Sequence, residues 1–157
     1  MKYNKILFPT DLSSASQEAL RYAASLARDS DALLIILHVE ESPLAYADVE
    51  IYFAQPYYPN PEIRRMLEAV IPPGEGVRHE HRLVVGVAAD EIVRMAAEEG
   101  VDLIVMSSHG RTGLGRMLMG SVAETVTRLA TRPVLILKTP ARIEQAAASL
   151  GVSAAKK

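Results

Sequence analysis

The sequence predicts an α/β fold: an open, five-stranded parallel sheet with helices on both faces. Two observations carry that expectation. Strand-length segments, four of them apolar runs and one alternating, recur five times, near residues 5–8, 32–39, 77–85, 101–106 and 134–137. Longer stretches of helical spacing separate them, and strand–helix alternation of this kind fits a parallel sheet covered on both sides. At 157 residues the chain has the size of one domain and can bury roughly two-thirds of its unfolded surface. The expectation is a single domain over residues 1–140 and a flexible or helical alanine-rich tail over 141–157.

Each element has its own signal. Lys5 to Phe8 reads as a strand stopped by Pro9. Ser14 with Gln17 suggests a capping box for the first helix. Its apolar face would be Ala15, Ala19, Tyr22, Ala23, Leu26 and Ala27. After the turn at Asp29-Ser30-Asp31, Ala32 to Val39 is continuously apolar, as a buried strand should be. Residues 40–61 hold four prolines and the aromatics Tyr46, Tyr52, Phe53, Tyr57 and Tyr58, with no regular period. They read as a long loop or lid.

Pro61 suits the first turn of a second helix carrying Ile63, Met66, Leu67, Val70 and Ile71, ended by Pro72-Pro73-Gly74. Val77 to Val85 alternates polar and apolar residues, the pattern of an edge strand. His79 and His81 share one of its faces, an exposed one, with no third ligand for a metal in view. A third helix runs from about Ala88 to Gly100 on Ile92, Val93, Ala96 and Ala97. Val101 to Met106 is a fully buried strand. Beyond Gly120 a fourth helix aligns Val122, Val126 and Leu129, and Val134 to Leu137 is the last strand.

Composition excludes several functions. Net charge is −2 with no basic tract, which leaves a nucleic-acid role without electrostatic support. Cysteine is absent, so disulfide and thiol chemistry are excluded. The start, MKYNKILFPTD, turns polar too soon for a secretory signal, and no apolar run is long enough to span a bilayer. The expected setting is cytoplasmic, away from membranes.

The stretch built for chemistry is VDLIVMSSHGRTGLGRMLMGSVAETVTRLATRP, residues 101–133. A buried strand, a loop holding Gly110, Gly113, Gly115 and Gly120, and a helix start follow one another, the order in which α/β proteins hold phosphates. Gly110, Gly113 and Gly115 do not give the dinucleotide pattern G-x-G-x-x-G. Gly115 and Gly120 have P-loop spacing, but Ser121 and Val122 stand where Lys and Ser/Thr belong. Gly110, nine residues, then Gly120-Ser121 resembles the nucleotide loop of the ATP-binding universal stress proteins, which read G-x-x-G, nine residues, G-[S/T]. Ser108-His109-Gly110-Arg111-Thr112-Gly113 and Arg132-Pro133-Val134-Leu135 resemble that family too. Ser107 stands where the ATP-binding members carry the first motif glycine. A serine is tolerated there at negative φ, whereas positive φ would strain it by about 1–3 kcal/mol.

The resemblance covers about residues 5–138 and implies a Rossmann-like sheet of order 3-2-1-4-5, with a ligand crevice between strands 1 and 4. It implies that Pro9, Thr10 and Asp11 end strand 1 beside the nucleoside, Asp11 accepting from ribose hydroxyls or the adenine amino group. From chemistry alone, a carboxylate favoured by the start of the first helix accounts for Asp11 equally well. Val39 would offer backbone groups to the adenine edge while its side chain stays in the core. Met106, Ser107, His109 and Gly110 would follow the ribose and phosphates. His109 would shape the loop or touch a phosphate, and Arg111 would neutralise phosphate charge or lie solvated. Gly120, Ser121 and Val122 would present N–H groups to the phosphates, and Mg²⁺ would ride on those phosphates.

The implied function is an ATP-binding regulatory or adaptor domain, homodimeric through Val134 to Leu137 and meeting an unknown protein partner. Hydrolysis would be slow at most, since neither a P-loop lysine nor a water-activating base can be assigned. The rival is a domain of the same type that binds no nucleotide and works through protein contacts. A phosphoacceptor domain would need an aspartate where Val85-Gly86 stands, and a nucleotidyl transferase would need a histidine-rich motif in place of Pro9-Thr10-Asp11-Leu12.

Overall fold

The computed structural model describes residues 2–41, 59–108 and 119–138. Five strands, β1 (Lys5–Pro9), β2 (Leu33–Glu40), β3 (His79–Val85), β4 (Leu103–Ser107) and β5 (Val134–Leu137), form one sheet in the order β3-β2-β1-β4-β5. Every neighbouring pair is parallel. The helices are α1 (Ser14–Ser30), α2 (Pro61–Glu68), α3 (Ala88–Glu98) and α4 (Ser121–Leu129). This is the expected Rossmann-like α/β sheet in the expected order.

The central strands β1, β2 and β4 are largely apolar on both sides because both faces are covered there. On one face Ile6, Phe8, Leu34 and Ile36 pack with Ala19, Leu20, Ala23 and Ala27 of α1 and Leu67 of α2. On the other, Leu7, Ile35, Leu37 and Ile104 pack with Ile92, Met95 and Ala96 of α3 and Ala123 and Val126 of α4. The alanines of α1 let its backbone come close to the sheet. Tyr22 is too large for that seam and is 59% exposed, against its expected place on the buried face. Leu129 is likewise exposed, and on α3 Met95 is buried where Ala97 was expected.

Element ends follow local chemistry. α1 is capped by Ser13, whose side chain accepts from Ser16 N, and not by Ser14 as the capping box suggested. The shift arises because Asp11 Oδ1 accepts from both Ser13 N and Ser13 Oγ, which fixes Ser13 just outside the helix. Asp31 closes α1 in the left-handed region at φ 55°, and Gly100 does the same after α3 at φ 61°. Asn60 caps α2 by accepting from Glu62 N, with Pro61 in the first turn as expected. α2 stops at Glu68, short of Pro72, and Met66 and Ile71 are exposed. Residues 70–73 already belong to the connection toward β3, where the Val70 carbonyl lies 2.9 Å from His81 Nε2.

The sheet opens where its order reverses. β1 and β4 pair only at Ile6 with Leu103 and Leu7 with Ile104, and above these residues the two strands part. The loop expected at 40–61 lies almost wholly outside the described residues, as do the glycine-rich loop 109–118 and the tail from residue 139.

Candidate functional site

A cleft of about 610 Å³ sits above the C-terminal ends of β1, β2 and β4. Of the residues singled out in the sequence, Pro9, Thr10, Asp11, Val39, Met106, Ser107, Gly120, Ser121 and Val122 all line it. His109, Gly110 and Arg111 lie outside the described residues. Among the described lining residues there is no lysine or arginine, and the acidic ones, Asp11, Glu40 and Glu41, stand on the β1 and β2 side.

The β1 end is a tightly bonded turn. Thr10 N donates to the Leu37 carbonyl at 2.8 Å, which extends the ladder one residue past the strand. Asp11 Oδ1 then accepts from Ser13 N at 3.0 Å, and from Ser13 Oγ and Ser16 Oγ at 2.6 Å each. Asp11 therefore fills the helix-start role and faces the cleft at once. Leu12 beside it has φ 64°, an uncommon conformation for leucine, with its N–H donating to Thr10 Oγ1 at 3.0 Å.

At β2 the direction of the backbone bonds alternates. Leu33 N donates to Asn4 O on the β1 side, Leu37 O accepts from Thr10 on the same side, and Glu40 O accepts from Gly86 N on the β3 side. By that alternation Val39 directs its N–H and C=O toward β1, two residues beyond the last paired position, Pro9 with Leu37. A peptide edge without a neighbouring strand thus faces the cleft.

The β4 end differs in kind. Ser107 is the last residue of β4, and among the described residues the non-glycine ones with positive φ are Leu12 and Asp31. The strain considered for Ser107 is therefore absent. Ser108 N donates to the Leu137 carbonyl and Gly120 N donates to the Ser108 carbonyl, both at 2.8 Å. These bonds place the start of α4 directly above β4. Gly120 is its N-cap and has no side chain to cap with. Glu124 N begins the intrahelical bonding by donating to the Gly120 carbonyl, so the N–H groups of Ser121, Val122 and Ala123 have no intrahelical acceptor, and all three residues line the cleft. Glu124, the acid of that first turn, is exposed and does not line the cleft.

A model of the universal stress protein family matches residues 2–138. The chain belongs to the universal stress protein family. Universal stress protein MJ0531 of Methanocaldococcus jannaschii is 36% identical over 147 residues, covering 88% of this chain and 84% of the relative. A universal stress protein solved in complex with cAMP is similar in structure, with a TM-score of 0.62 and 26% identity over 88% of this chain and 98% of the other. The universal stress protein of Archaeoglobus fulgidus solved in complex with dAMP gives a TM-score of 0.62 and 27% identity, covering 87% and 98%.

Sequence reasoning missed several residues of the cleft. His38 is 8% exposed, and its Nδ1 lies 2.7 Å from the Thr10 carbonyl. Glu40 is buried, with Oε2 accepting from Asn60 N at 2.9 Å, and Glu41 Oε1 accepts from Ala88 N at 3.2 Å. These two carboxylates tie the starts of α2 and α3 to the end of β2. The available signal was polar residues closing an apolar run, LLIILHVEE. His79 and His81 are half-buried rather than exposed, in edge-on contact at 5.4 Å, with His79 Nδ1 on the Val77 carbonyl. Among the described residues no group of three or more His, Cys, Asp or Glu could hold a metal, and no helix is long and apolar enough to cross a membrane.

Proposed function

We propose that this universal stress protein binds ATP in the cleft between β1 and β4 and acts as a homodimeric regulatory or adaptor domain in the cytoplasmic stress response. The observation that carries the reading is the start of α4. Its first-turn residues line the cleft and, among the described residues, no side chain caps its N–H groups, an arrangement suited to phosphate binding. Hydrogen bonds to a charged group contribute about 1.5–3 kcal/mol each, enough for a few to support micromolar binding after association costs.

The cleft's charge gives the nucleotide a direction. Asp11, Glu40 and Glu41 repel phosphate from the β2 side, so the base lies against the Val39 peptide edge and the phosphates lie over Gly120, Ser121 and Val122. Asp11 reads the ribose hydroxyls. Pro9, Thr10, Met106 and Ser107 form the floor between the two ends, and His109, Gly110 and Arg111 complete the phosphate side. Mg²⁺ travels on the phosphates. The family members solved with cAMP and with dAMP support the reading, since both ligands join adenine to phosphate.

Hydrolysis is slow or absent, because no described residue of the cleft is placed as a lysine clamp on the phosphates. Residues 1–140 act as one unit, with 141–157 as an appended tail. The dimer forms through β5, an edge strand whose Leu135 is 36% exposed. Sedimentation at micromolar concentration should give a dimer mass. The deciding experiment identifies the small molecules released on denaturing fresh protein, then titrates the emptied protein with Mg–ATP by calorimetry. Released ATP or saturable heat supports the reading. No nucleotide and no heat at millimolar ATP would leave a domain that works through protein contacts.

A further inference from the structure

The geometry points to His38 as the positioning residue that holds Asp11 in its ligand-reading orientation, an inference that rests on the nucleotide-binding reading above. His38 is a buried polar residue at the end of an apolar strand, and its ring reaches across to the neighbouring strand end. The backbone of β2 at residue 38 faces β3, so the side chain is what connects this position to β1. The Thr10 carbonyl can only accept, and therefore His38 Nδ1 carries the proton of the 2.7 Å bond.

That carbonyl belongs to the peptide joining Thr10 to Asp11, and the N–H of the same peptide donates to Ser16 Oγ at 3.4 Å. One rigid plane is thus gripped at both ends. Its tilt sets the direction in which the Asp11 side chain leaves the backbone. The bonds from Ser13 and Ser16 to Oδ1 then fix the carboxylate's rotation. Leu12 follows at φ 64°, a conformation that persists only when its surroundings hold it. Without the His38 bond, the Thr10 carbonyl loses a buried donor, and the turn can relax toward negative φ at Leu12 and carry Asp11 away from the cleft.

The test compares binding of ATP and its 2′,3′-dideoxy analogue by calorimetry, since Asp11 is the group that would sense ribose hydroxyls. Wild type should prefer ATP. His38→Leu should bind ATP about tenfold more weakly, with its preference reduced to that of Asp11→Ala. The double variant should bind no more weakly than Asp11→Ala, the mark of two residues acting as one unit. His38→Asn places an amide donor near the Nδ1 position and should restore most of the preference. His38→Gln reaches the Nε2 position instead and should not, which keeps the test decisive if the leucine variant fails to fold.

A preference retained in His38→Leu, or equal in the Asn and Gln variants, overturns the positioning role while leaving the nucleotide reading intact. Equal affinity of wild type for both nucleotides overturns Asp11 as the ribose reader and His38 with it. No saturable binding of either overturns the nucleotide reading itself.

Discussion

α1 and α4 both begin at the C-terminal end of a strand beside the same cleft, yet their first turns are finished differently. α1 carries its own anion and its own cap: Ser13 takes Ser16 N, and the Asp11 carboxylate sits against the turn. α3 has Asp90 and Glu91 in its first turn and also engages the Glu41 carboxylate, which accepts from Ala88 N. Among the described residues α4 has no side-chain cap, and its first-turn acid, Glu124, does not line the cleft, whereas Ser121, Val122 and Ala123, whose N–H groups have no intrahelical acceptor, do. A helix start holds partial positive charge and unbonded donors, and a protein either fills that need internally or leaves it to a ligand. On the proposed reading, that difference gives the phosphate end of the cleft to α4 and the selective, side-chain-built end to the turn after β1.

The largest effect should come from abolishing the contrast. Gly120 has extended backbone at φ −62° and ψ 147°, which any residue can adopt, so Gly120→Asp gives α4 a side-chain cap and places an anion at the cleft. Nucleotide affinity should fall about a hundredfold or more, while thermal unfolding shows the helix kept or slightly strengthened. Ser13→Ala should work in the opposite sense, stripping α1 of its cap. Denaturant unfolding should show a loss of about 0.5–2 kcal/mol, with affinity lowered severalfold through the loosened Asp11.

Ser107→Gly sharpens the comparison at the floor of the cleft. Because Ser107 already sits in a strand without positive φ, glycine relieves nothing there. Stability should drop by about 0.5–1 kcal/mol, and calorimetry should find ATP binding no tighter. A tightened affinity would mean that the serine side chain itself obstructs the ligand.

The smallest effect lies at the opposite end of the sheet, away from both helix starts. Asp102 accepts from Asn4 N at 2.6 Å and from Lys5 N at 3.1 Å, and these bonds hold its carboxyl below the ordinary 3.8. A depressed folded-state value stabilises above the unfolded value and ceases to do so as pH falls through the folded one. Urea midpoints measured from neutral to acidic pH should therefore decline less steeply in Asp102→Asn than in wild type, with nucleotide affinity at neutral pH unchanged.

The fold was legible because its signals are local and repeated. Each buried strand is a continuous apolar run, and Pro9, Pro61, Gly100 and Gly120 punctuate the chain where elements begin or end. The cleft's backbone half was legible for a related reason, since glycine at a helix start leaves a mark in sequence. The side-chain half was not. His38 meets Thr10 across twenty-eight positions, Glu40 meets Asn60 across twenty and Glu41 meets Ala88 across forty-seven, and no periodicity encodes such pairings. The misplaced cap at Ser14 has the same origin, because two adjacent serines are equivalent until Asp11 selects one. Tyr22 was misplaced because an alanine-rich helix offers two plausible apolar faces, and only the close packing on Phe8 and Ile36 chooses between them.

The most direct measurement follows the backbone amides of ¹⁵N-labelled protein during titration with Mg–ATP. The expected result is that Ser121, Val122 and Ala123 shift together and saturate, and that the amides of Ser13 and Ser16, already engaged by Asp11 Oδ1 and Ser13 Oγ, shift less. Saturable shifts centred on α1 with α4 unmoved would contradict it.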